Sequence, residues 1–518
     1  FILTRKSEID KSCSKMKKLL IFMMTISFSV LSYAKERTER EMQKIASSYL
    51  NLPSGNYLSR SSEANLEKTE ISKQLTVYSS RGYGFVVMSK DDDFEPVLGY
   101  SETDFYENNM PCGFKWWIRQ VSKSLEQRKP NGDLYQIANS VSRATSATNF
   151  IETAWNQQAP YNNLCPKIDG KPAPTGCVAT AMAQIMYYFQ YPSSGKGQGF
   201  YTISEADGKT TPNTCEVNST YEWNKMKKKY LTPVDKDNAV ATIMRDAGAA
   251  SNMVYSTSAS GTNDFAAAIG FCDNFKYDSL ALKRYGRDFY TDSEWNDLIK
   301  TELDAKRPIL YCGQDPIDGG HAFIFDGIDE KGKVHVNWGW SGSGNGWYDI
   351  NVLKPTSYAG SGLAEGEGFN SSQSMVFGFK AQEVPDASEE NTSQFVTDGY
   401  SFTTEDDKLF VTLTDAYNFG FRYFNGIVDI VMQDANDDNK INTANLIDTQ
   451  ENKEYVRWGY GYGFTEKDED SHKFDISEDF LNIAPGTYKL YLASKSTEEK
   501  NYQYVRGIGG PIIYTLNV

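Results

Sequence analysis

Apolar positions recur along this chain at two periods, and the period changes from one stretch to the next. Residues 36–50 are mostly polar but carry Met42, Ile45, Ala46 and Tyr49 at three- and four-residue spacing, which predicts an amphipathic helix. Short runs of strand-forming residues follow: Leu75 to Tyr78, "GFVVMS" from Gly84, and "PVLGY" from Pro96. Helical spacing returns from Phe114 to Arg128, with Trp116, Trp117, Val121 and Leu125 on one stripe. Next, "KPNGDLYQIANSVSRATSATN" has turn formers and small polar residues but no period, and reads as an exposed linker. Residues 35–143 are therefore expected to form a small α+β unit of their own.

The unit expected over 144–383 has helical patterns first and strand patterns second. Helices are predicted over Cys177 to Phe189, Ala239 to Tyr255, Asp264 to Cys272 and Asp292 to Ala305. Strands are predicted at "PILYCG", "HAFIFDGI", "KVHVNWGW", "GWYDINV" and "SMVFGF". That order predicts an α+β domain with a helical half and an antiparallel sheet half. A second linker, "KAQEVPDASEENTSQ", precedes residues 384–518, whose short strands and polar turns predict a β-sandwich module. Within it, Asp434, Asn436 and Asp438 have the spacing of a calcium loop. The glycine and the bidentate glutamate of such a loop are missing, so the stretch reads as a polar hairpin tip.

Composition narrows the partners. The 518 residues carry a net charge of −15, which makes phosphate backbones poor partners and nucleic acid an unexpected one. Near the N-terminus, "MKKLLIFMMTISFSVLSYA" joins a basic start at Lys17 and Lys18 to a short apolar run and a small-residue site ending at Ala34. Residues 1–34 thus read as upstream sequence plus a secretory signal peptide, with no membrane span left once it is removed. The expected location is secreted, extracellular or at the cell envelope. Seven cysteines are few for an exported chain of this length. Cys165, Cys177, Cys215, Cys272 and Cys312 form an odd central set with no C-x-x-C spacing, so no structural zinc is expected.

Candidate chemistry centres on "APTGCVATAMAQIMYYF". Gly176 permits a tight turn, and the apolar residues after it predict a buried helix with Cys177 in its first turn. Unpaired N–H groups and the helix dipole favour a thiolate there. The pattern alone leaves a buried structural cysteine and a nucleophile equally open. A nucleophile needs a base, and the histidines are His321, His335 and His472. His472 lies in a charged stretch and reads as a surface residue. His321 follows two glycines that clear space beside it. His335 shares a predicted strand with Asn337, about 7 Å away at roughly 3.3 Å per residue, so Asn337 would serve His321 from a neighbouring strand instead. An oxyanion donor upstream has three candidates, Asn156, Gln157 and Gln158, among which local sequence does not choose.

"WNQQAPYN", "TGCVATAMAQIMYYFQYP", "GGHAF" and "HVNWGWSGSGNGWYDI", in this order and spacing, resemble the streptopain family of papain-like cysteine endopeptidases. "GFVVMSKDDDFEPVLGYSE", followed by "NNMP" and a Trp-bearing helix, is similar to that family's inhibitory prosegment. The resemblance implies a papain-like two-subdomain fold. It matches Cys177 to the nucleophile, His321 to the general base and Gln157 to the oxyanion donor. Asn337 and Trp338 match the segment that orients and shields the histidine, and Trp340 matches a second packed tryptophan. Gln158 stands where the family often has glycine. The implied partners are polypeptide substrates and the chain's own prosegment as an intramolecular inhibitor, with no cofactor and no metal. Lys129 and Arg143 are the candidate residues near the activating cut. A catalytically silent surface protein and an amine acyltransferase are the competing readings.

Overall fold

A computed structural model of the chain describes residues 36–52, 66–126, 147–230, 238–315, 319–351 and 373–380. In the C-terminal part it describes 395–517 with gaps at 407, 447–455, 460–462, 465–472, 481–482 and 498. The expected signal peptide, Lys129, Arg143, His472 and all of the expected linkers except residues 147–149 and 380 lie outside the described residues. Among those described, no helix is long and apolar enough to cross a membrane.

Residues 36–126 form helix α1 (Glu39–Tyr49), an antiparallel meander and helix α2 (Cys112–Glu126). The meander strands are β1 (Glu67–Glu70), β2 (Leu75–Ser80), β3 (Gly84–Ser89) and β4 (Val97–Ser101). Thr38 caps α1 by accepting a 3.3 Å hydrogen bond from the Glu41 N–H, and Met42, Ile45, Ala46 and Tyr49 are its buried stripe, as their spacing predicts.

The central unit begins its helical half with α3 (Cys177–Phe189), whose bounds match the expectation. A hairpin of β5 (Gln198–Ser204) and β6 (Thr210–Glu216) follows, then α4 (Asn238–Ala250), β7 (Met253–Tyr255) and α5 (Asp264–Asp273). Here the sequence reading needs correction, because it carried α4 on to Tyr255. Asn252 takes a positive φ of 54°, which ends the helix, and Met253–Tyr255 instead pairs in parallel with Tyr201–Ile203 of β5. The hairpin itself escaped the reading because its second strand, TTPNTCE, is nearly all polar and the first exposes Phe200.

The sheet half comprises β8 (Lys283–Gly286), helix α6 (Asp292–Asp304), β9 (Ile309–Asp315), β10 (Gly319–Ile328), β11 (Val334–Asn337), β12 (Gly346–Tyr348) and β13 (Gln373–Phe377). It is continuous with the N-terminal meander. One ten-stranded antiparallel sheet runs β1-β2-β3-β4-β12-β11-β10-β9-β13-β8. Its seam is the β4–β12 pairing, with Ser101 opposite Gly346, Tyr100 opposite Trp347 and Gly99 opposite Tyr348.

Strand alternation divides the core. Leu310, Ala322, Ile324 and Val376 pack on the helical half around α3. Tyr311, Phe323, Phe325, Met375 and Phe377 pack on the other face, against Phe114, Trp116 and Trp117 of α2 and Trp295 and Ile299 of α6.

The C-terminal part is a sandwich of two sheets. One is built on β14 (Phe395–Glu405) and β15 (Lys408–Asn418), the other on β16 (Phe424–Asp434), β17 (Asp437–Asn445) and β18 (Thr487–Ser496). Val411, Leu413, Val428, Ile430, Leu490 and Leu492 share its core. The suspected calcium stretch is the β16–β17 hairpin tip, where Asp434 accepts a 2.9 Å hydrogen bond from the Asn436 N–H.

Gly99 offers a test of the seam. A Cβ there would lie 2.4 Å from the Tyr348 ring. Gly99→Val is expected to destabilise the full-length chain by about 1–3 kcal/mol, the range for overpacking. Thermal unfolding of the parent and variant full-length chains checks this.

Candidate active site

Helix α3 begins abruptly. Gly176 precedes it at φ 86° and makes no side-chain cap. A Cβ on Gly176 would lie 2.7 Å from Met253 Cε and 3.0 Å from the Ser260 carbonyl, so both the conformation and the space require glycine. Thr180 fixes this elbow, its hydroxyl donating to the Gly176 carbonyl at 2.9 Å and sharing a 2.8 Å hydrogen bond with Thr175. Behind it, Val178, Met182, Ile185 and Met186 are buried, so the first turn is anchored from below.

Cys177 is half-buried and is one of six free cysteines among the described residues. Burial pushes its thiol above the ordinary range, while the N–H groups of Ala322, Val178 and Cys177 itself pull the other way. The Ala322 N–H donates to Sγ at 3.4 Å. Cys112, at the start of α2, is close enough to disfavour a thiolate on Cys177. Burial thus favours the protonated thiol over the thiolate in this state.

His321 is adjacent in sequence to the residue that meets the thiol. Alternation along β10 nevertheless places it on the face of Phe323 and Phe325, whereas Ala322 and Ile324 face α3. Opposite His321 in the ladder stands Gly313. A Cβ on Gly313 would lie 2.3 Å from the Trp116 ring, so α2 covers the sheet at this point. The Trp116 indole N–H donates to the Gln314 carbonyl at 3.4 Å, and its ring packs 5.8 Å from that of Phe323.

His335 has a different role. Its Nδ1 lies 2.5 Å from Oδ1 of Asp326, and both side chains are buried. Asp326 also accepts from the Ile151 N–H at 3.0 Å, so the pair fastens the start of the central unit to the sheet.

Gln157 and Gln158 separate cleanly. The Gln157 carbonyl accepts from the Thr175 N–H at 3.0 Å, which ties it two residues from Cys177. Gln157 is partly buried, whereas Gln158 is exposed. Asn156 turns away, donating to the Ser341 hydroxyl at 2.8 Å. Asn337 is buried and donates to the Thr153 carbonyl at 2.7 Å and to Gln184 Oε1 at 3.3 Å, so in this state its amide braces α3 and does not orient an imidazole. Trp338 donates from its indole to the Gly344 carbonyl at 2.9 Å and packs 4.8 Å from Phe323.

The N-terminal unit grips this region through more than the sheet seam. A Cβ on Gly113 would lie 2.7 Å from the Trp338 ring, so α2 approaches it closely. Trp117 donates to the Asp349 carbonyl at 3.2 Å. Lys333 is almost fully buried and pairs with Glu95 at 2.8 Å. Burial opposes the charge on Lys333, but Asp349 and Glu95 outweigh it and hold the ammonium above its usual range. The sequence reading placed Trp116 on a helix stripe and gave Cys112 no role. Their positions over the cleft are set by tertiary packing.

The peptidase C10 family matches residues 155–348, and a family described as Spi protease inhibitor matches residues 34–125. The thiol protease/hemagglutinin PrtT of Porphyromonas gingivalis is 32% identical over 316 residues, covering 57% of this chain and 36% of that protein. This chain thus spans little more than a third of that relative. Streptopain of Streptococcus pyogenes is 30% identical over 344 residues, covering 61% of this chain and 85% of that protein. Among solved structures, a fragment of prointerpain A from Prevotella intermedia is 33% identical with a TM-score of 0.50, covering 61% of this chain and 98% of that one.

The enclosure of Cys177 has a measurable consequence. At pH 7, iodoacetamide is expected to alkylate it more slowly in the full-length chain than after removal of residues 35–143, because Cys112 at the start of α2 disfavours the thiolate. Mass spectrometry of the Cys177 peptide reads the rates, and equal rates would show that α2 does not shield the thiol.

Proposed function

The chain belongs to the peptidase C10 family, the streptopain family of cysteine peptidases, and from that premise we propose how its residues divide the work. The chain is a zymogen of a cysteine endopeptidase in which residues 35–143 are the inhibitory prosegment and 144–383 the protease. Cys177 is the nucleophile and His321 the base. The observation that carries this reading is the bare N-terminus of α3, where Cys177 meets the N–H of the residue next to His321.

In the full-length chain alternation sets the two groups on opposite faces of β10, with Trp116 packed over Gly313, the ladder partner of His321. Removal of the prosegment takes α2 away and opens room for the imidazole to turn toward Sγ. His321 then accepts the Cys177 proton, and the thiolate attacks the carbonyl carbon of a peptide. The Gln157 side-chain amide and the Cys177 N–H hold the oxyanion. The imidazolium returns its proton to the leaving amine, and water cleaves the thioester to free the acid and restore the thiol. Asn337 and Trp338 fix the segment that walls this cleft. Residues 1–34 direct the precursor out of the cell, with cleavage after Ala34.

Cys177→Ala and His321→Ala are each expected to abolish casein hydrolysis by the processed enzyme. Gln157→Ala should lower kcat by about 10²–10³, the loss found when one oxyanion donor is removed, whereas Gln158→Ala should change it little. Full casein hydrolysis by contaminant-free Cys177→Ala protein would overturn the nucleophile assignment. Glu95→Gln leaves Lys333 with one anion fewer in a buried site and should accelerate processing of the full-length chain, followed on a gel.

A further inference from the structure

The C-terminal sandwich is fastened to the protease at the sheet edge opposite the prosegment. The last strand there is β8, and Gly286 at its end is approached so closely by Phe419 that a Cβ would lie 2.8 Å from the ring. Arg284 of β8 donates to the Phe419 carbonyl at 2.9 Å and lies 4.4 Å from the centre of its ring. The Phe419 ring meets Phe289 edge-on at 5.3 Å.

A second anchor is Arg506 of the sandwich. It donates to the Phe289 carbonyl at 2.8 Å and to Glu294 at 2.6 Å, and it lies 4.1 Å from the centre of the Tyr290 ring. The Gly509 N–H donates to the Asp288 carbonyl at 2.7 Å, and Arg422 donates to the Ser279 carbonyl at 2.9 Å. The contact is also apolar. Val396 is buried in the protease's sheet-face cluster, Tyr417 and Phe419 pack against it, and Phe421 packs against the helical-half cluster.

Arginines stacked on aromatic rings and flanked by buried apolar groups are the usual anchors of a durable interface. An open sheet edge such as β8 also needs a cover, since its unpaired backbone groups invite other chains. We infer that the sandwich is a non-covalent subunit of the protease: once the segment 381–394 is severed, it stays docked over β8 through Arg506, Phe419 and Arg422. The inference concerns assembly and holds whether or not the catalytic assignments above are correct.

The test uses the full chain in a Cys177→Ala background, which prevents self-digestion, with a recognition sequence for an unrelated site-specific protease placed in 381–394. After cutting, size-exclusion chromatography at about 10 μM, above the weakest affinity typical of interfaces of standard size, should show both pieces in one peak. Arg506→Glu with Phe419→Ala should elute unchanged while uncut and as two peaks once cut. The milder Arg506→Ala should separate on ten-fold dilution. Two peaks from the cut parent chain would overturn the inference. Persistence of one peak in the double variant would also overturn it, because some other surface would then hold the pieces.

Discussion

Along β10 each side chain faces opposite to its neighbour, and this period of two governs the rest of the site. Ala322 and Ile324 look toward α3, while His321, Phe323 and Phe325 look toward α2. A backbone N–H lies near the plane of the sheet and so reaches the thiol whichever way its own side chain points, whereas an imidazole must first leave the face on which it stands. The Ala322 N–H therefore meets Sγ while the neighbouring imidazole stays on the other side. Under the proposed assignment latency needs no plug in contact with the thiol, because α2 packs over the sheet at Gly313, opposite His321 in the ladder.

That packing is strong because the prosegment shares the protease's own sheet. The β4–β12 seam supplies backbone hydrogen bonds, and Phe114, Trp116 and Trp117 bury large rings against Trp338, Phe323 and Tyr348. Each such ring removes about 150–250 Å² from water. Lys333 adds directionality, since moving Glu95 away would remove one of the two anions that hold a nearly enclosed ammonium. Releasing the N-terminal unit would expose all of those rings to water, so a cut in the connecting segment suits the proposed activation better than spontaneous opening.

The sequence made α3 legible to its ends because Gly176, the apolar stripe and the length agree. It also made Cys177, His321 and the upstream Trp-Asn-Gln visible through their order. It did not separate Gln157 from Gln158, and the backbone hydrogen bond that ties Gln157 to Thr175, eighteen positions away, is a tertiary contact that local pattern does not carry. Nor did it show that His335 is held by Asp326, a partner on the adjacent strand. Continuity of the sheet across the two units was hidden for the same reason. Strand patterns show that strands exist, but the neighbour of β4 is chosen by shape, and Gly99 admits the Tyr348 ring only because it has no side chain.

The two ends of the sheet are treated differently, and the difference follows from what each cover touches. At one end the prosegment reaches across to the face that holds His321. At the other, the sandwich grips Arg284, which also pairs with Asp264 at 2.7 Å at the start of α5. Both charges act on Cys312, whose thiol burial pushes well up, followed by the effects of Asp264 and Cys177 and opposed by Arg284. Cys312 stands opposite Ala322 in the ladder. Arg284 thus joins the sandwich, through Phe419, to the start of α5, through Asp264. The two covers are held by different chemistry: a seam of sheet and rings at one edge, and arginines clamped on carbonyls and aromatic faces at the other.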